Sequence, residues 1–309
     1  MKGPLFFAKI LLFGEYGIIK DSKGLSIPYN FYRGALKIPN SDASGNMDFH
    51  IKLVAFVNHL KTLKTELVQF DWNCLESDLH RKMYFDSTIP QGYGVGSSGA
   101  LVAAIYDQYA LKKITVLENL TKEKLQILKT IFAQMESFFH RKSSGLDPLN
   151  SYLSLPILIN SNENIETTGI PCQTTNGKGA VFLLDSGITG KTAPMVSIFI
   201  ENMKEEAFST MMREQFIKYT DFCVEDFLKG NLSSLFTNIK ILSSLVLSNF
   251  KPMIPNSFHD LWRKGIETND YYLKLCGSGG GGFILGFTQD FKKAEETLKG
   301  FPLEVVYRF

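Results

Sequence analysis

The spacing of apolar and polar residues predicts the first elements of this chain. Residues 5–13 form a nearly continuous apolar run that ends at Gly14, which is typical of a strand buried on both faces. Residues 51–67 and 117–139 carry apolar side chains at helical spacing, and we interpret both as amphipathic helices. The remaining predictions are a helix at 98–111 and short strands at 33–38, 68–72 and 82–88.

The second half of the chain shows a different order of elements. A polar, broken stretch at 153–166 precedes it, and its order is then strand, helices, strand, strand, helix, strand. The predicted strands are 180–184, 272–275, 283–287 and 303–307, and the predicted helices are 204–228, 231–250, 257–267 and 291–298. This order is typical of helices packed on one face of an antiparallel sheet. The sequence therefore predicts an α+β protein with two domains, residues 1–162 and 163–309.

Composition narrows the class of protein. With 309 residues, the chain is longer than one typical hydrophobic core needs. Its net charge is only +2 and it has no long run of Lys or Arg, so we expect neither nucleic acid nor a membrane surface as a partner. Lys9 interrupts the amino-terminal apolar run, which therefore predicts a strand rather than a signal peptide, and no run of about 18 apolar residues predicts a membrane span. Four widely spaced cysteines favour reduced thiols in a cytoplasmic protein.

A glycine-rich stretch precedes the predicted helix at 98–111. Gly92, Gly94 and Gly96 are followed by Ser97 and Ser98. A glycine loop that runs into the start of a helix presents backbone N–H groups and the positive end of the helix dipole, which together suit a phosphate group. The same pattern is also typical of a simple tight turn, and taken alone it leaves both interpretations open.

Three charged residues stand out, each with two interpretations. Lys9 lies inside the apolar run, where a lysine either extends to the edge of a sheet or is held beside an anion. Glu136 lies near the end of the second amphipathic helix, where most glutamates are solvated, and Asp147 precedes a proline, as many turn residues do. Together with glycine loops, however, one lysine and two carboxylates provide the groups that phosphoryl transfer needs.

Other nucleotide-binding patterns are missing. Gly96 is followed by two serines rather than by the lysine of a P-loop, and the protein-kinase motifs H-R-D and D-F-G do not occur. The glycine spacing also differs from the Rossmann fingerprint.

Four blocks of sequence resemble, in the same order, those of the GHMP superfamily, which includes galactokinase, homoserine kinase, mevalonate kinase and phosphomevalonate kinase. Residues 9–16 (K-I-L-L-F-G-E-Y) resemble its first block, P-G-K-x-x-L-x-G-E-H. Residues 90–98 (P-Q-G-Y-G-V-G-S-S) resemble its phosphate loop, P-x-G-x-G-L-G-S-S. Residues 144–147 (S-G-L-D) resemble the S-G-x-D that carries its catalytic aspartate, and residues 274–282 (K-L-C-G-S-G-G-G-G) resemble its third block, K-x-x-G-A-G-G-G-G.

The resemblance implies a fold and a set of roles. The implied fold has an amino-terminal domain like ribosomal protein S5 and a ferredoxin-like carboxy-terminal domain, with the active site between them. Catalysis is assigned to Asp147, which orients or accepts the proton of the acceptor hydroxyl, and to Lys9, which stabilises charge on the γ-phosphate. ATP binding is assigned to Gly92, Gly94, Gly96, Ser97 and Ser98. Mg²⁺ is assigned to Ser98 and Glu136. Substrate binding is assigned to Glu15, Tyr16, Thr192, Gly277, Ser278 and Gly279.

Within the superfamily the chain is most similar to the mevalonate kinase branch. Glu136 lies on the helix before Asp147, where that branch has its magnesium-binding glutamate, and residues 185–187 (D-S-G) resemble its D-T-G segment. The chain departs from the superfamily's blocks at Tyr16, where histidine is common, and at Gly99, which replaces an alanine of the phosphate loop. A further departure precedes Lys9, where Phe7-Ala8 replaces proline-glycine.

The resemblance therefore implies ATP-dependent phosphorylation of the primary hydroxyl of mevalonate, in a monomer or homodimer. Phosphomevalonate kinase is the nearest alternative, since Arg141, Lys142 and Lys191 offer extra cations for a substrate phosphate. Homoserine or sugar kinase activity fits residues 185–192 less well. A non-catalytic binding module is disfavoured because Lys9, Ser98, Glu136 and Asp147 are all retained.

Overall fold

The computed structural model describes residues 4–39, 47–116, 120–161 and 163–309, and over these residues it is a mixture of helices and strands. The strands of the first half are β1 (Phe6–Phe13), β2 (Gly24–Lys37), β3 (Gln69–Phe70), β4 (Tyr84–Ser87), β5 (Ala110–Leu111), β6 (Ile157–Ser161) and β7 (Asn164–Thr167). The helices of the first half are α1 (Met47–Thr62), α2 (Trp72–His80), α3 (Ser97–Tyr109), α4 (Lys122–His140) and α5 (Leu146–Leu153).

The second half contains four strands and the remaining helices of the described chain. The strands are β8 (Ala180–Asp185), β9 (Tyr272–Leu275), β10 (Phe283–Thr288) and β11 (Leu303–Arg308). The helices are α6 (Thr192–Asn202), α7 (Glu206–Met211), α8 (Ile217–Lys229), α9 (Leu232–Asn249), α10 (His259–Thr268) and α11 (Phe291–Thr297). A π-helical turn, Met212–Phe216, joins α7 to α8.

Most predicted elements are confirmed, and the differences have local causes. The predicted strand at 68–72 is wrong after Phe70, because the Asp71 side chain accepts a hydrogen bond from the Cys74 N–H and starts α2. The predicted helix at 117–139 ends at His140, one residue later than expected, and residues 117–119 lie outside the described part. Helices α5 and α6 and the β6–β7 pair were not predicted.

The chain divides into two compact units, each built from several segments. Unit 1 comprises Met1–Lys9, Pro28–Pro90 and Gly96–Leu155; unit 2 comprises Ile10–Ile27, Gln91–Val95 and Pro156–Phe309. The predicted boundary at residue 162, which itself lies outside the described residues, comes soon after Leu155, where the last segment of unit 1 ends. The division into residues 1–162 and 163–309 stays a prediction.

Unit 1 has a helical core of aromatic and small residues. Helix α3 contributes Ala103 and Ala104, which are fully buried and allow neighbouring backbones to approach closely. The Tyr106 ring lies 5.0 Å from the Phe132 ring of α4 and 5.2 Å from the Tyr152 ring of α5. In the strands of this unit, Gly34–Lys37 of β2 pair antiparallel with Tyr84–Ser87. This packing fixes α3, α4 and α5 against one another.

Unit 2 is organised around an antiparallel sheet with the strand order β11-β8-β10-β9. Strands β10 and β8 pair with Phe283 opposite Asp185. Strands β10 and β9 pair with Ile284 opposite Leu275. All residues of β9 and β10 are buried, including the charged Lys274 of β9. The order β8, helices, β9, β10, α11, β11 is the ferredoxin-like arrangement, which confirms that prediction.

Two further sequence expectations concern the cysteines and the membrane. Cys74, Cys172, Cys223 and Cys276 are all free thiols, as expected. Among the described residues, no helix has the length and apolar character to span a bilayer.

Candidate functional site

The glycine loop has the backbone that only glycine adopts without strain. Gly92, Gly94 and Gly96 have φ angles of 78°, 79° and 80°. Gly96 is also the residue at which α3 begins, and no side chain caps the helix there. The first N–H groups of α3 are therefore not satisfied by a capping side chain, and they suit an anionic ligand.

Lys9 and Asp147 form an ion pair in unit 1. Lys9 lies on β1, and only 4% of its surface is exposed to solvent. Its Nζ lies 2.9 Å from Asp147 Oδ1. Asp147 lies in the first turn of α5, where the helix dipole favours a carboxylate, and its side chain remains 38% exposed. A buried lysine thus holds a carboxylate that solvent and substrate can reach.

Ser98 and Glu136 are brought together beside this pair. The Ser98 hydroxyl donates a hydrogen bond to Glu136 Oε1 at 2.9 Å, and the Ser143 hydroxyl donates to Glu136 Oε2. Glu136 is only 3% exposed, so the solvated-helix interpretation of this residue is wrong. Burial raises the pKa of Glu136 to about 7, and the negative charge of Asp147 acts in the same direction.

The sequence interpretation missed His140. Its Nε2 lies 3.1 Å from Ser98 Oγ, so the serine hydroxyl contacts both Glu136 and this ring. Partial burial lowers the pKa of His140. His140 follows Glu136 by four residues on α4, and this spacing, which places both side chains on one helix face, was the available signal.

In unit 2, residues 277–282, called here the third glycine loop, pack directly on Gln91–Val95, the first half of the phosphate loop. A Cβ atom on Gly94 would lie 2.4 Å from the Cys276 carbonyl oxygen, and one on Gly282 would lie 2.5 Å from Tyr93 Cα. The Phe283 N–H donates to the Tyr93 carbonyl at 3.4 Å. Glycine is required at both positions because any side chain would separate the two loops.

Glu15 is turned into the core of unit 2. Its carboxylate lies 2.5 Å from Lys274 Nζ, and the side chains are 3% and 0% exposed. Burial raises the pKa of Glu15, although the charge of Lys274 opposes this shift. The pair joins the turn after β1 to β9, immediately before the third glycine loop. The structure thus gives the Glu15 carboxylate a protein partner, and its assignment to substrate remains a prediction.

Tyr16 also contacts the third loop. Its hydroxyl donates a hydrogen bond to the Ser278 carbonyl at 2.6 Å, and its ring lies 4.7 Å from the Phe199 ring. The Tyr16 backbone has φ 59° and ψ −40°, a conformation that a residue with a side chain adopts only under strain. The contacts of the ring and hydroxyl hold this conformation in place.

The other predicted substrate residues lie on backbone turns of unit 2. Gly277 and Gly279 have φ angles of 71° and 73° on either side of Ser278. Thr192 is exposed and is the first residue of α6, a helix that the sequence interpretation did not predict. The role of Thr192 in substrate binding stays a prediction.

The residues present fit a magnesium ion that is shared with a nucleotide. Within the described residues, no group of three or more His, Cys, Asp and Glu side chains is arranged to hold a metal ion. Mg²⁺ is commonly bound by only one or two carboxylates together with substrate phosphates and water. Glu136 and Ser98, next to the uncapped start of α3, offer one such carboxylate and one hydroxyl.

Comparisons with known proteins give a family for part of the chain. Residues 58–154, which include α3, α4 and α5, match the family model described as the GHMP kinases N terminal domain. No curated protein matches the sequence.

Three solved structures illustrate the fold. The mevalonate kinase of L. major, in complex with R-mevalonate, has a TM-score of 0.61 and 16% identity, and the match covers 100% of this chain and 99% of that one. The Streptococcus pneumoniae phosphomevalonate kinase, in complex with phosphomevalonate and AMPPNP, has a TM-score of 0.61 and 14% identity over 98% and 99% of the two chains. The Lactococcus lactis galactokinase, complexed with galactose, has a TM-score of 0.62 and 10% identity over 98% and 93%.

At these identities the similarity establishes the fold, and the family model assigns the segment that carries Ser98, Glu136 and Asp147. Residues 58–154 match the GHMP kinases N terminal domain, and the chain has the two-domain α+β fold of these kinase structures.

Proposed function

We propose that this protein is an ATP-dependent phosphotransferase that phosphorylates the primary hydroxyl of mevalonate. The observation that carries the proposal is the Lys9–Asp147 pair, with 2.9 Å between Nζ and Oδ1, in the same unit as the uncapped start of α3. A half-exposed carboxylate next to a buried ammonium group is the arrangement that can orient an attacking hydroxyl and stabilise charge on a phosphoryl group.

Each of the predicted catalytic and nucleotide-binding residues then has a defined task. Asp147 accepts a hydrogen bond from the acceptor hydroxyl and takes its proton as the acceptor oxygen bonds to the γ-phosphorus and the bond from that phosphorus to the ADP oxygen breaks, which releases ADP. Lys9 stabilises negative charge on the transferred phosphoryl oxygens. The backbone of Gly92, Gly94, Gly96 and Ser97 binds the ATP phosphates.

Magnesium completes the proposed site. Ser98 and Glu136 are the residues that would hold it, and the short hydrogen-bonding distance between them places their oxygens side by side. When bound, Mg²⁺ neutralises charge on the phosphate oxygens of ATP. The Ser143 hydroxyl and His140 orient Glu136 and Ser98 from the other side.

The predicted substrate residues form the acceptor side of the proposal. The turn at Glu15 and Tyr16, the loop Gly277–Gly279 and Thr192 would border the acceptor, with Glu15 acting through Lys274 rather than by direct contact. Mevalonate is the proposed acceptor because the chain shares its whole length and fold with a structure that binds R-mevalonate and shares the superfamily's sequence blocks.

Phosphomevalonate is the second candidate acceptor. Arg141 and Lys142 are exposed and directly follow His140, so two cations lie next to the residues around Ser98. A phosphorylated acceptor would need such groups.

A panel of acceptors tests the proposal. The purified protein, ATP and Mg²⁺ are combined with mevalonate, phosphomevalonate, homoserine or galactose, and ADP release and the phosphorylated product are both measured. We expect turnover with mevalonate above the other acceptors. Turnover with phosphomevalonate alone would select the second candidate, and turnover only with homoserine or galactose would contradict both.

A further inference from the structure

Gly99 is a glycine inside a helix whose backbone does not need one. It is the third residue of α3 and is buried, and its φ lies outside the left-handed region. Glycine in a helix interior is less stable than alanine by about 1 kcal/mol. A reason for glycine at this position must therefore lie in the space around it.

That space is filled by the backbone that carries Asp147. A Cβ atom on Gly99 would lie 2.7 Å from the Asp147 carbonyl carbon, 2.8 Å from the Pro148 nitrogen and 3.0 Å from Asp147 Cβ. Two of these atoms belong to the main chain and the third is a Cβ, and none of them can rotate away as the end of a side chain can. Helix α5 thus approaches α3 more closely than any residue other than glycine allows.

The proline supports the same close approach. The Pro148 nitrogen carries no hydrogen, so packing it against Gly99 leaves no unsatisfied N–H donor at the contact. At the other end of this turn, a Cβ atom on Gly145 would lie 2.1 Å from the Lys129 carbonyl oxygen of α4. The start of α5 is therefore held between α3 and α4 without intervening side chains.

The partner of Asp147 rests on the same end of α3. A Cβ atom on Gly96 would lie 3.0 Å from Lys9 Cγ, so the stem of the lysine packs on the residue that begins the helix. Gly96 and Gly99 are three residues apart, and positions with this spacing neighbour each other along a helix. Both members of the 2.9 Å ion pair are therefore seated on glycines of one helix end.

We propose that Gly99 is a positioning residue: by having no side chain, it lets the start of α5 approach α3 closely enough for Asp147 to reach Lys9 and the acceptor. The kinetic part of this inference rests on the proposed function. A displacement of about 1 Å of a catalytic group can lower the rate about a hundredfold. The alanine that the superfamily has at this position would displace Asp147 in this chain.

The test compares Gly99→Ala with a matched control. We expect Gly99→Ala to lower kcat at least tenfold while the KM for ATP changes less than threefold, and we expect its crystal structure to show Lys9 Nζ and Asp147 Oδ1 clearly further apart than in the wild type. Gly265→Ala in α10 is the control, because its Cβ atom would lie 2.5 Å from the Tyr271 carbonyl oxygen and imposes a similar helix clash. It should lower the melting temperature and leave kcat unchanged.

A double-mutant cycle separates positioning from general damage. In an Asp147→Asn background, Gly99→Ala should cause little further loss of kcat, because the residue through which it acts is already disabled. A full, additive loss in that background would overturn the inference. So would an unchanged kcat together with an unchanged Lys9–Asp147 distance in Gly99→Ala.

Two further outcomes keep the test decisive. If Gly99→Ala does not fold, Asp147→Glu moves the carboxylate by one methylene without touching Gly99, and full activity in that variant would overturn the claim that the position of the carboxylate is critical. If the wild type transfers phosphate to no acceptor, the proposed function fails, while the crystallographic distance in Gly99→Ala still decides whether Gly99 positions Asp147.

Discussion

In unit 1, the surroundings of Glu136 determine whether its carboxyl group is protonated. Two serine hydroxyls donate to its oxygens, and Asp147 adds a second negative charge nearby. A free carboxylate in this position favours its protonated form. A cation bound at Ser98 and Glu136 would remove that preference, which is the behaviour expected of a metal ligand before its metal binds.

The raised pKa of Glu136 makes a prediction about stability. Because the folded-state pKa is about 7 and the ordinary value is 4.5, this residue favours folding most below pH 4.5, and the contribution is lost as the pH rises through 7. The change amounts to on the order of 3 kcal/mol. We expect urea unfolding with chelator present to show a smaller pH dependence between pH 5 and pH 8 for Glu136→Gln than for the wild type. An unchanged pH dependence would contradict the assigned burial.

The hydrogen bond that the Tyr16 hydroxyl donates can be removed by one substitution that keeps the ring. Tyr16→Phe keeps the ring on Phe199 but loses the hydrogen bond to the Ser278 carbonyl, which is worth about 1 kcal/mol. We expect faster amide hydrogen exchange in residues 277–282. Tyr307→Phe is the matched control, since it removes a hydroxyl that donates to the Pro171 carbonyl at 2.8 Å in the same unit. Equal exchange of this loop in both variants would show that Tyr16 does not hold it.

Among the elements, the two glycine loops of unit 2 depend on each other for their shape. The first half of the phosphate loop meets the third loop where Gly94 faces Cys276 and Gly282 faces Tyr93. A change in either loop is therefore transmitted to the other through backbone contact.

Gly94→Ala tests this dependence. The new Cβ would lie 2.4 Å from the Cys276 carbonyl oxygen, in addition to the cost of about 1 kcal/mol for a positive φ in alanine. We expect a lower melting temperature and at least a tenfold rise in the KM for ATP. Gly230→Ala shares the positive φ but has open space around its Cβ position, so it should show the smaller thermal effect and an unchanged KM. Matching thermal and kinetic effects in the two variants would argue against loop packing.

The sequence predicts elements well where apolar spacing is strong. The β1 run and the amphipathic α4 were placed to within a few residues at their described ends. It predicts short helices poorly: α5 has only eight residues and starts in a motif interpreted as a loop, and α6 has apolar residues that are mostly not buried. Neither helix begins with a capping side chain, so the sequence carries no clear start signal for either of them.

For the site, too, local sequence does not reveal contacts between residues that are far apart in the chain. Lys9, Ser98, Glu136 and Asp147 were assigned from the resemblance to the superfamily's sequence blocks, and the structure brings their side chains together in unit 1. The partner of Glu15 could not be found in this way, because Lys274 is far away along the chain and nothing in local sequence reports a long-range ion pair. The role of Gly99 required the distance to a neighbouring helix.

On the scale of the whole molecule, the Glu15–Lys274 pair links an early turn to a late strand within the core of unit 2. A buried ion pair stabilises little by itself, since desolvation offsets the attraction, but removing one partner leaves an uncompensated charge.

The difference between removing one charge of this pair and removing both can be measured. Lys274→Met should destabilise the protein by about 3–5 kcal/mol, because it leaves the Glu15 carboxylate buried without its cation. The double variant Glu15→Leu with Lys274→Met should recover much of that loss. The midpoints of urea unfolding for the wild type and the two variants check this expectation. A double variant that is less stable than Lys274→Met would contradict it.

The central claim is that Asp147 and Lys9 transfer the γ-phosphoryl group of ATP to a small alcohol. The most direct measurement follows labelled phosphate from γ-labelled ATP into mevalonate, with Asp147→Asn and Lys9→Met beside the wild type. We expect labelled phosphomevalonate from the wild type and a kcat at least about a hundredfold lower in each folded variant. Label that never enters mevalonate, or transfer by both variants at the wild-type rate, would contradict the claim.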